Sequence, residues 1–231
     1  MKTVLITGAN RGIGLGHARS FAQRGIAVFA TAREPAAADE LQHLAHTYPG
    51  RFSVLHYDAA DPQAPAQLKA ALGDTPVDLL LANAGALGES GQELGNIHVD
   101  GVLELIRINA LAPLKLIEAL IYNITLSGRK LVALQSSQMG SIGNNSAGGR
   151  YEYRLSKVAL NMIARNVAND LAPRGVTVVA LHPGWVKTRM GGQGAAITVE
   201  TSVAGQQKWF DAVTPAQSGR FFNYDGTELP W

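Results

Sequence analysis

The chain has 231 residues, of which 46% are hydrophobic and 16% charged, and it contains no cysteine. This length and apolar content suit one compact domain with a sizeable core. The lack of cysteine excludes disulfide scaffolds, thiolate nucleophiles and cysteine-ligated metal sites. A net charge of +2 argues against a nucleic-acid partner, and no apolar run is long enough for a membrane span or a signal peptide. These features predict a single cytoplasmic domain covering 1–231.

Short apolar segments recur along the chain, and their Val, Leu, Ile and Ala residues show little polar alternation. That composition is typical of β-strands covered on both faces. The predicted strands, in chain order, are Thr3–Thr7, Ala27–Thr31, Phe52–Tyr57, Val77–Ala82, Lys130–Gln135, Val176–His182 and Arg220–Asn223. We therefore expect a sheet that lies between two helical layers.

Apolar residues at helical spacing fill the stretches between these strands. The predicted helices are Gly14–Arg24, Pro35–His46, Pro62–Leu72, Val99–Tyr122 and Tyr151–Ala172. Strand–helix alternation with short connections implies right-handed βαβ units, and hence a doubly wound α/β fold with a parallel sheet of about seven strands and helices on both faces. The Gly-rich stretch Gly184–Ile197 has no clear period and is predicted to be a mobile loop.

A glycine-rich turn joins the first predicted strand to the first predicted helix. Gly8, Gly12 and Gly14 follow the spacing G-x-x-x-G-x-G. Gly8 permits a tight turn, Gly12 lets backbone N–H groups approach a pyrophosphate, and Gly14 allows close contact between helix and strand. An ordinary glycine loop is the alternative. The position after the first strand of an α/β pattern favours a dinucleotide site at the helix N-terminus.

Six motifs in the same order resemble those of the short-chain dehydrogenase/reductase family, over almost the whole chain. They are Thr7–Gly14, Asn83-Ala84-Gly85, Asn109, Ser136-Ser137, the Y-x-x-x-K motif of Tyr153 and Lys157, and Pro183-Gly184 with Thr188. The resemblance implies a Rossmann-type fold and a substrate lid around 184–197. The dinucleotide contacts that it implies are Thr7, Gly8, Asn10, Arg11, Gly12, Ile13, Gly14, Asn83, Ala84, Gly85, Tyr153, Lys157, Pro183, Gly184, Val186 and Thr188, the last on the nicotinamide amide.

The residues after the second predicted strand bear on the choice between NAD and NADP(H). Many NAD-preferring members of the family carry an acidic residue there, whereas this chain has Arg33, with no acid until Glu34. Arg11 and Arg33 are both placed to bind a 2′-phosphate through charge-assisted hydrogen bonds, which predicts NADP(H). A solvated Arg33–Glu34 pair is the alternative. By resemblance Asp58 accepts from the adenine amino group, although a turn Asp fits it nearly as well.

Tyr153 and Lys157 lie four residues apart on a predicted helix, so both project from one face. An ordinary Tyr is a poor base at neutral pH, but a nearby Lys and an oxidised nicotinamide would lower its pKa and let it exchange a proton with a substrate oxygen. Lys157 would also bind the nicotinamide ribose. By resemblance Asn109 holds a water that links Lys157 to solvent, while satisfying a local backbone group is the alternative role.

The sequence leaves open which serine polarises the substrate carbonyl. Ser137 lies sixteen residues before Tyr153 and Ser141 twelve residues before it. Ser137 is favoured because it ends a strand, where doubly wound sheets place their ligand sites. Ser136 would face away from Ser137 if the strand continues.

These observations together predict an NADP(H)-dependent oxidoreductase that reduces a carbonyl compound (an aldehyde, ketone or quinone) to an alcohol, with Tyr153 as general acid. The stretch from Gly219 to Trp231 resembles carbonyl-reductase-like and C-factor-like members of the family. A dinucleotide-binding signalling protein of C-factor type is therefore the alternative function. We expect a small-molecule substrate, an apolar pocket wall from Trp185, Met190 and Met139, no metal, no membrane contact, and a homodimer or homotetramer.

Overall fold

Seven parallel strands form one sheet in the computed structural model, which describes residues 1–89, 91 and 93–231. The strands are β1 (Thr3–Ile6), β2 (Ala27–Ala32), β3 (Phe52–His56), β4 (Leu79–Ala82), β5 (Leu131–Gln135), β6 (Thr177–His182) and β7 (Phe221–Asn223). All seven predicted strands are confirmed, and their ends shift by two residues at most. The spatial order is β3-β2-β1-β4-β5-β6-β7. The order reverses direction between β1 and β4, so a ligand site is expected at the carboxyl ends of these strands.

Helices cover both faces of the sheet. They are α1 (Gly12–Gln23), α2 (Asp39–Thr47), α3 (Ala64–Leu72), α4 (Val99–Ile106), α5 (Ala112–Leu126), α6 (Tyr151–Leu171) and α7 (Val199–Ala212). The predicted helix Val99–Tyr122 is in fact α4 and α5, joined through a π-helical turn at Arg107–Leu111. The sequence pattern predicts no helix at α7. Its buried face carries Ser202, Gln206 and Gln207, and these polar residues obscure the apolar period.

The core lies in two layers, one on each face of the sheet. Alternate residues of each strand point to opposite faces, so in β5 Leu131 and Ala133 pack with α1, α2 and α7, while Val132 and Leu134 pack with α3, α5 and α6. These four β5 residues have no exposed surface. The sheet is therefore dry on both sides, and its carboxyl edge is left for polar chemistry. Among the described residues, no helix is long and apolar enough to cross a membrane.

The segment after β6, predicted to be a mobile loop, contains backbone pairing of its own. Val186 and Ile197 form a β-bridge, and the Lys187 N–H donates to the Ile197 carbonyl at 2.9 Å. The indole N–H of Trp185 donates to the carbonyl of Gly191 at 2.8 Å. Val186 itself is buried. The pairing of Val186 with Ile197 therefore holds the two ends of this segment together. Its Gly-rich composition concealed this pairing, since glycine carries no side-chain period.

Candidate active site

The turn between β1 and α1 packs so closely against its own backbone and the end of β4 that it requires glycine. Gly8 and Gly12 adopt left-handed conformations, with φ of +64° and +54°. A Cβ on Gly14 would lie 2.4 Å from the carbonyl oxygen of Gly8, and one on Gly8 would lie 2.9 Å from the Cα of Ala84. Side chains at these positions would push the turn away from the sheet. The roles predicted for Gly8 and Gly14 in packing the turn agree with this geometry.

The N-terminus of α1 is left open towards the same edge. Arg11, the residue before the helix, is extended and makes no side-chain cap, and the first turn contains no acidic residue. The first N–H groups of the helix and the positive end of its dipole are therefore available to an anion. A Cβ on Gly12 would lie 3.3 Å from Cγ2 of Thr188, which brings the segment after β6 against this turn.

Thr7 and Asn83 fasten the turn to the end of β4. The Thr7 hydroxyl oxygen accepts from the backbone N–H groups of Asn83 and Ala84, each at 3.0 Å. The Asn83 amide nitrogen donates to the carbonyl oxygens of Thr7 at 3.0 Å and Gly8 at 3.1 Å. The side chains of Thr7 and Asn83 thus hold the glycine turn in place against the end of β4.

Lys157 is the buried cation of the site. Its ammonium donates to the backbone carbonyl of Gln135 at 2.9 Å and lies 5.7 Å from the centre of the Tyr153 ring. Burial lowers the pKa of Lys157 to about 8, because the charged form loses its hydration. Lys157 is 5% exposed, so this cation faces the interior of the site and not bulk water.

The lowering expected for the Tyr153 pKa depends on an oxidised nicotinamide as well as on Lys157, and in the protein alone the pKa shifts upwards. Burial raises the pKa of Tyr153 to about 12, and a hydrogen bond with the Ser137 side chain acts weakly in the opposite direction. Burial disfavours the phenolate more than the surrounding donors favour it. The structure brings Tyr153, Lys157 and Ser137 together, and it holds the phenol in its protonated form at neutral pH.

The three candidate serines have different partners. Ser136 donates to the amide oxygen of Asn161 on α6 at 2.6 Å, so its hydroxyl already has a partner within the protein. Ser141 donates to the carbonyl of Pro230 at 2.6 Å and is held by the chain near its C-terminus. Ser137 lies two residues after β5, and its hydroxyl oxygen accepts from the N–H of Met139 at 3.2 Å while facing Tyr153. Of the three, Ser137 has the geometry that the proton chemistry needs.

Asn109 lies in the π-helical turn and is 1% exposed. Its amide oxygen accepts from the N–H of Ala86 at 2.8 Å, and its amide nitrogen donates to the carbonyl of Ala86 at 2.9 Å and to Ser156 Oγ at 3.0 Å. A Cβ on Gly85 would lie 3.0 Å from this amide oxygen and 3.7 Å from the Lys157 nitrogen. The local backbone role considered for Asn109 is therefore present, and Lys157 lies close by.

Three guanidinium groups meet beside the glycine turn. Burial lowers the pKa of Arg11, and the positive charges of Arg189 and Arg33 lower it further. Within the described part of the chain, none of the three side chains makes a hydrogen bond or an ion pair with a carboxylate. Positive charges that repel one another and have no carboxylate partner are typical of a binding site for a multiply charged anion. Asp58, at the end of β3, accepts from the N–H of Ala60 at 3.0 Å, as a turn Asp does.

Two residues near the site were not selected from the sequence. No sequence motif singles out Arg189, because its proximity to Arg11 depends on the path of the segment after β6. Gln135 was counted as the last residue of a strand, although an amide that ends the apolar run Leu131–Leu134 is itself a signal. The described residues contain no group of three or more His, Asp or Glu side chains that could hold a metal ion.

The lowered pKa of Lys157 predicts how stability depends on pH. Between the folded pKa of about 8 and the ordinary value of 10.5, the unfolded chain binds more protons than the native one, so native stability rises with pH across this window. Relative to Lys157→Met, the wild type should gain up to about 3 kcal/mol of unfolding free energy between pH 8 and pH 10.5. Urea unfolding at several pH values measures it.

The exposed Lys208→Met is the matched control, because removal of a hydrated lysine should leave the pH profile parallel to that of the wild type. Parallel profiles for Lys157→Met and the wild type would contradict a desolvated ammonium at this position.

Comparison with known proteins agrees with the geometry. A family model described as short chain dehydrogenase matches residues 2–209. The C-signal of Myxococcus xanthus is 44% identical over 156 residues, which are 68% of this chain and 93% of that protein. The 1-hydroxy-2-glutathionyl-2-methyl-3-butene dehydrogenase of Rhodococcus sp. is 37% identical over 238 residues and 100% of both chains. The NADPH-bound carbonyl reductase from chicken fatty liver has a TM-score of 0.92 and 33% identity, over 100% of this chain and 99% of that one. The chain therefore belongs to the short-chain dehydrogenase family.

Proposed function

We propose that this protein is an NADP(H)-dependent reductase that converts a small aldehyde, ketone or quinone to an alcohol. The observation that carries the proposal is the convergence of Ser137, Tyr153 and Lys157 at the carboxyl edge of the sheet, beside a glycine turn with an open helix N-terminus. Dehydrogenase chemistry needs a proton donor within reach of the place where a dinucleotide delivers hydride.

The residues present fit a dinucleotide phosphate. Glycine at positions 8 and 14 lets the turn pack closely, and a pyrophosphate would bind over the uncapped first N–H groups of α1. Arg11, Arg33 and Arg189 form a positive cluster where a 2′-phosphate would bring two further negative charges. When bound, the cofactor supplies the hydride.

The protein's own contribution is proton donation and charge stabilisation. With a pKa of about 12, Tyr153 carries its proton at neutral pH and donates it to the oxygen of the carbonyl as that oxygen becomes an alkoxide. Ser137 donates a hydrogen bond to the same oxygen. The Lys157 ammonium stabilises the phenolate that Tyr153 becomes, and a pKa of about 8 keeps it charged at neutral pH.

A signalling role is the second candidate, because the C-signal of Myxococcus xanthus is 44% identical to this chain. The arrangement of Tyr153 with Lys157 favours catalysis, since a protein that only binds the dinucleotide has no use for a buried phenol beside an ammonium. Oxidation of NADPH in the presence of aldehydes, ketones and quinones separates the two candidates. Turnover with none of them would favour the signalling role.

The substrate pocket and the assembly are also proposals. Trp185 and Met190 are 57% and 45% exposed on the segment after β6, where an apolar substrate would cover them. Val99 and Leu103 on α4 are 66% and 59% exposed, and they suit the homodimer or homotetramer expected from the sequence. The assembly is measured by light scattering coupled to size-exclusion chromatography.

Replacing Tyr153 by Phe removes the proton donor and leaves the ring in place. We expect Tyr153→Phe to lower kcat by at least about a hundredfold, which is the usual contribution of a positioned general acid. The rate of NADPH oxidation with a carbonyl substrate measures this loss. The Kd for NADPH should change little, because the phenol acts on the substrate oxygen.

The matched control is Tyr151→Phe, on the same helix, because Leu155 and not a lysine lies four residues after it. Tyr151→Phe should keep wild-type turnover. Equal activity of Tyr153→Phe and the wild type would exclude the mechanism.

Replacing Arg33 by Gln tests the choice of cofactor. Arg33→Gln should weaken NADPH binding by about ten- to a hundredfold, the value of a charge-assisted hydrogen bond, while NADH binding stays within about twofold. Fluorescence titration gives both constants. The exposed Arg174→Gln, at the opposite edge of the sheet, is the control of equal charge change. Equal losses for NADPH and NADH would remove Arg33 from the 2′-phosphate site.

A further inference from the structure

The turn that carries Ser137 lies beyond the end of the sheet. Strand β5 ends at Gln135, and the N–H of Ser136 still donates to the carbonyl of Leu181 on β6 at 2.8 Å. The chain then continues as the single 3-10 turn Gln138–Gly140. Because such a short turn has hydrogen bonds of poorer geometry than an α-helix, contacts with its surroundings must fix the position of Ser137.

Asn161, on α6, makes two such contacts. Its amide oxygen accepts from the Ser136 hydroxyl at 2.6 Å, and its amide nitrogen donates to the carbonyl of Gly140 at 2.9 Å. These partners lie on either side of Ser137, one residue before it and three residues after it. Asn161 is buried, so neither hydrogen bond competes with bulk water. One side chain therefore holds both ends of the Ser137 turn.

The turn packs directly against the helix that carries the catalytic residues. A Cβ on Gly140 would lie 2.8 Å from the carbonyl carbon and from the Cβ of Lys157, so this close approach requires glycine. Asn161 follows Lys157 by four residues and Tyr153 by eight, which places the three side chains on one face of α6. The contacts of Asn161 thus fix Ser137 relative to the helix that carries Tyr153.

Hydrogen bonds within the turn set the direction of the Ser137 hydroxyl. Its oxygen accepts from the N–H of Met139 at 3.2 Å, and the Ser137 carbonyl accepts from the N–H of Gly140 at 2.8 Å. A hydroxyl that accepts one hydrogen bond still has its own proton to donate. Gly140 is bonded both to Ser137 and to Asn161, so a displacement of Gly140 would also redirect the Ser137 hydroxyl.

We propose that Asn161 is a positioning residue for carbonyl reduction. It holds the Ser137 turn against α6, so that the Ser137 hydroxyl and the Tyr153 phenol meet the same substrate oxygen. Without its two hydrogen bonds the turn stays attached to β5, but Ser137 loses its fixed distance from Tyr153. A displacement of about 1 Å can lower a rate by about a hundredfold. The proposal rests on the proposed function, since it concerns hydrogen-bond donation in that site.

A double-mutant cycle between Asn161 and Ser137 tests the proposal. Asn161→Ala should lower kcat by about ten- to a hundredfold. The Kd for NADPH should stay within about twofold, because the partners of Asn161 belong to neither the glycine turn nor the arginine cluster. In the Ser137→Ala background the same substitution should change kcat by less than about twofold, since the hydroxyl that Asn161 positions is already absent. Equal factors in both backgrounds would overturn the proposal, and so would wild-type kcat for Asn161→Ala.

Asn166→Ala, at an exposed position on the same helix, is the matched control and should keep wild-type kcat. If Asn161→Ala does not fold, Ser136→Ala removes one of the two hydrogen bonds and keeps the one to Gly140. Ser136→Ala should lower kcat by about three- to tenfold when Ser137 is present, and by less than about twofold in the Ser137→Ala background. The same loss in both backgrounds would contradict a role through Ser137.

Hydrogen exchange measures the hold on the turn without turnover. The N–H groups of Met139, Gly140 and Ser141 all donate within the turn. They should exchange about tenfold faster in Asn161→Ala than in the wild type, and at the wild-type rate in Asn166→Ala. Unchanged exchange in Asn161→Ala would overturn the proposal. A wild type that reduces no carbonyl compound would instead refute the proposed function, so the two failures are distinguishable.

Discussion

The hydrogen bond from the buried ammonium of Lys157 to the carbonyl of Gln135 is the interaction on which the site depends. It ties α6 to the end of β5, and one helical turn separates Lys157 from Tyr153, so the same contact sets the distance between the phenol and Ser137. Burial makes this bond costly, since the ammonium loses hydration and its pKa falls to about 8.

The carboxyl edge of the sheet concentrates features that do not stabilise the protein by itself. The N-terminus of α1 has no cap, the guanidinium groups of Arg11, Arg33 and Arg189 repel one another, and the amide of Gln135 is unpaired among the described residues. The proposed ligand, a dinucleotide phosphate, carries anionic groups that would pair with the helix N-terminus and with the arginines. These features cost stability in the unliganded protein, and the pairing of the helix N-terminus and the arginines with a ligand would contribute binding free energy. Such an exchange of stability for function is usual at an active site.

Much of the fold follows from local patterns in the sequence. All seven strands are predictable because apolar residues dominate each of them, and the glycine turn is predictable because only glycine at position 14 fits against the carbonyl of Gly8. Helix α7 is not, because its buried face carries Gln206 and Gln207, which pack against α1. The pairing of Val186 with Ile197 joins the two ends of a Gly-rich segment, and no periodic pattern in the sequence indicates it.

The candidate site likewise has features that the sequence predicts and features that it does not. The spacing of Tyr153 and Lys157 is local to one helix and can be read from the sequence, whereas the choice of Ser137 over Ser141 needs the long-range contact between Ser141 and Pro230. The cluster of Arg189 with Arg11 depends on how the segment after β6 folds back on the glycine turn. The direction of the Tyr153 pKa also depends on burial, which the motif does not specify.

The most direct test of this account is the ionisation of Tyr153 itself. The difference in ultraviolet absorbance between the wild type and Tyr153→Phe, followed over pH, reports the phenolate of this one residue. We expect a pKa of about 12 without cofactor, and a clearly lower value with NADP+ bound, because the positive nicotinamide ring then joins Lys157 in favouring the phenolate. A pKa that NADP+ leaves unchanged would contradict the central claim that Tyr153 and the nicotinamide ring share one site.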